Sequence, residues 1–175
     1  MTVAVTLRLD DTSAARVTRF WEKLYAEGLD PALLLPDTEP RIVLAEYPDD
    51  VGADAVTVGI DRLATCWPAM PVRVTGLTVI GGYSPVVSLA VAPTTALLAL
   101  HGRLHTALGD LSSDARWRPG CWTPGIVVSE WAVSVADAVR SLLPSLVEPF
   151  GGRVVGLDLI RRPSGTVVDT WDLLD

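Results

Sequence analysis

Val3, Val5, Leu7 and Leu9 alternate with Thr2, Ala4, Thr6 and Arg8, the period-two pattern of a strand with one buried face and a more polar face free to line a cleft. The period then lengthens. Val17, Phe20, Trp21 and Leu24 fall on one helical stripe, so a helix capped by Thr12 or Ser13 is predicted to about Glu27, with Gly28 ending it. A proline-punctuated loop from Asp30 to Glu39 leads into the short apolar run Pro40-Arg41-Ile42-Val43-Leu44-Ala45. Asp54 to about Cys66 reads as a second helix, and Val72 to Ile80 with Val86 to Val91 as a strand pair turned through Gly81-Gly82-Tyr83-Ser84-Pro85. Pro93-Thr94-Thr95 opens a helix to about Leu108, with Leu97, Leu100, Leu104 and Leu108 on its apolar stripe. Asp110 to Trp122 reads as a loop before a second short run, Trp122-Thr123-Pro124-Gly125-Ile126-Val127-Val128-Ser129. Ser134 with Asp137 three residues on is the pattern of a capping box for a helix to about Val147, interrupted near Pro144. Gly152 to Arg162 and Thr166 to Leu173 read as closing strands.

In this order of elements, and in the placement of the two short runs, the chain resembles the 2H phosphoesterase superfamily, which includes the 2′-5′ RNA ligase-like proteins and cyclic phosphodiesterases. The resemblance implies an α+β fold: two small antiparallel sheets facing a central cleft, with helices outside, in one domain of two lobes, approximately residues 1–85 and 86–175. In that family each half supplies a strand reading His-x-Thr/Ser-x, usually just after a proline. The corresponding positions here are Arg41 and Val43 in the first run and Gly125 and Val127 in the second. Because residues two apart on a strand share a face, the expected cleft-facing sets are Arg41, Val43, Ala45 and Tyr47, and Gly125, Val127, Ser129 and Trp131. Ile42, Leu44, Ile126 and Val128 keep the buried face apolar.

The family's reaction needs one group to take a proton and another to give one, both titrating near neutrality on facing strands. Arg41 cannot act as a base, Gly125 has no side chain, and Val43 and Val127 cannot hold phosphate oxygens. The chain is therefore expected to be inactive as a phosphodiesterase. The alternative of unconventional residues such as Tyr47, Glu130 or Asp158 supplies no matched acid and base. The two histidines, His101 and His105, lie one helical turn apart with no acidic residue between them. That spacing could bring two ligands to one metal, but no third ligand can be named; they read as structural residues, and the resemblance implies that His101 is a core-facing helix histidine. No metal or cofactor is predicted.

The six tryptophans change the picture more. Trp117, Trp122 and Trp131 flank the second run, where their rings either stack a planar ligand or fill the space left by Gly125. Trp21 reads as core, while Trp67 and Trp171 have no assigned place. The predicted ligand-binding set is thus Arg8, Arg41, Tyr47, Trp117, Trp122, Gly125, Ser129 and Trp131, for a small apolar or aromatic molecule that is bound, cyclised or isomerised. Arg41 is its expected polar anchor, unless Arg41 pairs internally with Glu46, Asp158 or another acid. A non-catalytic interaction module with a self-filled cleft is the second reading.

Charge argues against nucleic acid. The net charge is −7, Lys23 is the only lysine, and the chain has neither Asn nor Gln, so it offers little counterion release and no amide to read adenine edges. At 175 residues and 49% hydrophobic content it can bury one substantial core. Its apolar runs fall short of the ~20 residues that span a bilayer, and Met1 to Asp11 lacks the form of a secretion signal. A cytoplasmic protein is expected. Cys66 and Cys121 are expected to be reduced, partly buried thiols. The residue usage resembles that of high-GC bacteria, which associates the chain with small-molecule biosynthesis. Oligomeric state is not legible.

Overall fold

In the computed structural model, which describes residues 2–26, 39–48, 53–80, 86–109, 115–129 and 148–175, the opening alternation becomes β1 (Thr2–Leu9), with Val3, Val5, Leu7 and Leu9 in the main core. Helix α1 (Asp11–Ala26) buries Val17, Phe20, Trp21 and Leu24. Its cap is Asp10 rather than Thr12 or Ser13: the Ser13 N–H donates to Asp10 Oδ1 at 2.7 Å, the reach of a carboxylate one residue ahead of the first turn. Ser13 turns inward instead, where its Oγ accepts from the Arg153 N–H at 3.3 Å.

The remaining elements are β2 (Arg41–Pro48), α2 (Ala53–Ala64), β3 (Met70–Ile80), β4 (Val86–Val91), α3 (Thr95–Leu108), β5 (Gly125–Ser129), β6 (Phe150–Arg162) and β7 (Thr166–Asp172). These lie within a few residues of the predicted spans. Thr94 caps α3 by accepting from the Leu97 N–H at 3.3 Å. The helix ends on Gly109, whose φ of 62° is a backbone geometry that glycine adopts without strain. Inside the predicted 110–122 loop, Ala115–Trp117 forms one 3-10 turn. The predicted Ser134–Val147 helix, the Gly81–Pro85 connection and the 30–38 part of the first loop lie outside the described residues.

Among the described residues the strands form one antiparallel sheet in the order β1-β2-β5-β4-β3-β6-β7, with β1 also paired to β6. The two small sheets expected from the resemblance are therefore hydrogen-bonded into one. They join where Ile42 of β2 meets Ile126 of β5 and where β3 runs along Phe150–Val154 of β6. The pairing also crosses the 1–85 and 86–175 division, because β6 and β7 lie beside β1 while β3 lies beside β4.

The helices cover one face. Leu97, Leu100 and Leu104 of α3 are fully buried, each contributing about 1.5–3 kcal/mol through removal from water, and they share one core with the inward residues of α1, α2 and the strands. The opposite face carries a smaller cluster of Ala4, Val43 and Ile160 against Trp117 and Val127. No helix among the described residues is long and apolar enough to cross a membrane.

Candidate functional site

Strand register decides which side chains reach that opposite face. Arg8 lies across from Arg41, and Thr6 from Val43, but the register then slips, so that Val5 faces Ala45, Ala4 faces Glu46 and Val3 faces Tyr47. The slip puts two consecutive residues of β2, Leu44 and Ala45, on the buried side, the two-against-one arrangement of a β-bulge. Parity is reversed beyond it. Ala45 and Tyr47, expected in the cleft, are fully buried in the main core, and Glu46 takes the cleft face in their place. The Tyr47 hydroxyl has no hydrogen-bond partner among the described residues, and burial raises its pKa above the ordinary phenol range. Tyr47 therefore does not reach the cleft face.

The other half of the site comes from β5. Val127 pairs with Ser88 and Gly125 with Ala90, and the Ile42–Ile126 pairing brings the two predicted motif strands side by side. Ser129 pairs with Val87 through its backbone; its side chain, Glu130 and Trp131 lie outside the described residues. Gly125 does not leave the space expected of a lost imidazole. A Cβ there would stand 2.9 Å from Ser88 Cβ and 3.3 Å from the Leu89 carbonyl oxygen, so the glycine is what lets β4 approach β5 this closely.

Val43, Val86, Ser88, Gly125 and Val127 floor a pocket of about 50 Å³, walled by residues 116–117 and 121–123. Two bonds fix the wall. The Trp122 indole N–H donates to the Val43 carbonyl at 3.0 Å, and His101 Nε2 lies 2.9 Å from the Trp117 carbonyl. His101 also stacks on Trp122, ring centroids 4.1 Å apart and 10° from parallel, and meets His105 edge-on. Trp122 is thus more wall than ligand platform: its ring is buried between α3 and β2. Trp117 bridges the two clusters, with the Arg116 guanidinium over its ring.

His101 is buried, as the family resemblance implied. Burial, with the neighbouring His105, lowers its pKa to about 4, against the smaller opposing pull of backbone hydrogen bonds at Trp117 and Leu44. The folded state therefore binds this proton less readily than the unfolded chain, whose imidazole titrates near 6.5. Stability is full above pH 6.5 and falls as pH drops toward 4. From pH 7 to pH 5 the loss is expected to be about 2 kcal/mol. Urea denaturation at both pH values checks it, and a His101→Phe variant should lack that slope.

Beside the pocket lies a charged row that sequence reasoning gave only as an alternative. Asp172, Gly156, Arg8 and Arg41 are directly opposite one another across β7, β6, β1 and β2, and Thr170, Asp158, Thr6 and Val43 form the next row. Asp158 is buried and central. Its Oδ1 accepts from Thr170 Oγ1 at 2.6 Å and from Arg8 Nη1 at 3.3 Å, and its Oδ2 is ion-paired with Arg41 Nη1. Arg41 Nη2 also meets Glu39 at 2.8 Å, and Arg8 Nη2 meets Asp172. Arg41 is therefore held by Asp158 and Glu39, while Glu46 pairs with Arg162 instead. Burial lowers the Arg41 pKa from its ordinary value; Glu39 opposes the shift and Arg8 adds to it. Gly156 makes the arrangement possible, since a Cβ there would come within 2.4 Å of Arg8 Nη2.

The remaining expectations resolve simply. Trp21 is core, Trp67 is buried under Arg103, and the Trp171 indole N–H donates to Asp61 at 2.7 Å. Cys66 and Cys121 are exposed, not partly buried: each sits in a turn, Cys66 just past α2 and Cys121 shortly before β5.

Solved structures share this fold. TT0787 of Thermus thermophilus superposes with a TM-score of 0.66 at 18% identity, covering 99% of this chain and 98% of that one. Escherichia coli LigT in its apo form gives 0.57 at 12%, with 99% and 98% covered. Kluyveromyces marxianus Usb1 gives 0.50 at 13%, with 98% of each chain covered. At such identities the likeness is one of fold. No match is found among curated proteins. The model of the 2′-5′ RNA ligase superfamily matches residues 10–166, from the start of α1 to the start of β7. The chain belongs to the 2′-5′ RNA ligase superfamily.

Proposed function

We propose that this chain is a superfamily member that no longer hydrolyses phosphodiesters and instead binds a small, largely apolar or aromatic molecule in the pocket between β2, β4 and β5. The observation that carries the reading is the pocket's floor. Where general acid–base chemistry needs two titrating groups, the adjoining strands present Val43, Gly125 and Val127. The nearby polar groups do not replace them: Arg41 stays a cation, and Asp158 is occupied by Arg8, Arg41 and Thr170. Any reaction in such a pocket rests on positioning and polarisation, as in a cyclisation or isomerisation.

The pocket's size limits what enters. At about 50 Å³ it is smaller than the ~150 Å³ apolar cavity known to hold benzene, so it accepts a methyl- or isopropyl-sized group or a ring edge. The rest of the ligand lies outside the pocket. The same tightness favours the second reading, an interaction module whose cleft is filled by its own Trp122.

Two measurements test the proposal. Hydrolysis of 2′,3′-cyclic AMP is expected to stay at background; turnover that disappears in Arg41→Met would refute the inactive reading. Indole is expected to raise the melting temperature, whereas ATP, which has been crystallised with Escherichia coli LigT, is not. No shift with indole would favour the interaction module.

A further inference from the structure

We infer that the ligand's polar end is a carboxylate, and that Glu39 and Asp172 are the chain's own stand-ins for it on the paired arginines Arg8 and Arg41. The inference rests on the small-molecule reading and adds the chemical class.

The two guanidinium groups lie side by side on one face, directly opposite in register. They share one inner counter-ion, Asp158, and each has one outer carboxylate, Glu39 on Arg41 and Asp172 on Arg8. Inner and outer acids differ in kind. The Asp158 side chain is 2% exposed, while those of Glu39 and Asp172 are 63% and 89% exposed. A carboxylate that stays mostly in water gives up little solvation on pairing and is readily exchanged for water or another anion, whereas removing a buried partner strands a charge out of water. The outer acids are therefore the exchangeable ones. With both swung into solvent, two arginines and one aspartate leave a net charge of +1, with planar N–H edges suited to a carboxylate. The groups already seated there have that same chemistry.

The fork also has the right relation to the pocket. Arg41 and Val43 share a face on β2, two residues or about 6.6 Å apart, and Val43 lines the pocket. Neither arginine lines the pocket itself, so the ligand that fits has an apolar ring edge beside Val43 and a carboxylate carried outside the pocket on a short chain, across a separation of that order. An arylacetic acid has that shape.

Isothermal titration of the full chain with indole-3-acetate and with its neutral counterpart, 3-methylindole, tests the inference. The acid should bind more tightly than the neutral compound, and a Glu39→Gln/Asp172→Asn variant should bind the acid about 3- to 10-fold more tightly than the unaltered chain, with 3-methylindole unchanged. Equal affinity for both compounds in both proteins would overturn the carboxylate assignment while leaving the apolar pocket standing. If neither compound binds either protein, the pocket reading fails and the inference fails with it.

Discussion

Asp158→Asn is expected to lower stability by about 3–5 kcal/mol, the loss that follows when one partner of a buried ion pair is removed. The substitution keeps size and shape, so packing changes little; what changes is that Arg41, with only 10% of its side chain exposed, loses its buried counter-ion. Arg8 is left with Asp172 and Thr170 at the sheet's open edge. Arg41→Met should be milder. It leaves Asp158 held by Arg8 and Thr170, and the methionine covers part of the surface that the arginine stem covered. Urea denaturation of the two variants measures the asymmetry. An Asp158→Asn protein within about 1 kcal/mol of the unaltered chain would mean that the cluster behaves as an exposed network, which would also remove the distinction between inner and outer acids.

The sequence carried the elements well because the patterns that define them are local. The alternation of β1, the stripe of α3 and its Thr94 cap depend on neighbours within one or two turns or strand steps. The cleft face of β2 was legible only up to Leu44. Beyond it the reading failed because a bulge is a property of the pairing between β1 and β2, and nothing in Ile42-Val43-Leu44-Ala45 marks where the register slips. Gly125 was misread for a related reason. A missing side chain suggests a void, but the facing strand moved in, and Ser88 fills the space. Asp158 had a visible signal: it is the one charged residue between Val154 and Ile160, two positions after a glycine. Its role as the hub of two arginines needed the register of β1, β2 and β6, which no single segment encodes. The same holds for the tryptophans. Their number was plain, but only the contacts separate Trp122, locked between His101 and Val43, from Trp117 at the pocket wall.

Trp122→Ala joins stability to function in one experiment. The substitution removes a buried indole, its stacking on His101 and its hydrogen bond to the Val43 carbonyl, and it is expected to lower stability by about 3–5 kcal/mol, as large-to-small aromatic changes in cores do. It should also enlarge the pocket, because Trp122 lines it, and β2 and β5 are held in place by their own pairings on either side. An apolar cavity that cannot collapse stays available to an apolar guest, and a guest that binds only the folded state raises its stability with concentration. Indole should therefore raise the melting temperature of Trp122→Ala by more than it raises that of the unaltered chain. If the variant is destabilised as expected but indole gives it no extra stability, the neighbouring side chains have closed over the space. Trp122 would then be core filling alone, and the part of the cleft open to ligands would be confined to the wall formed by Trp117 and Arg116.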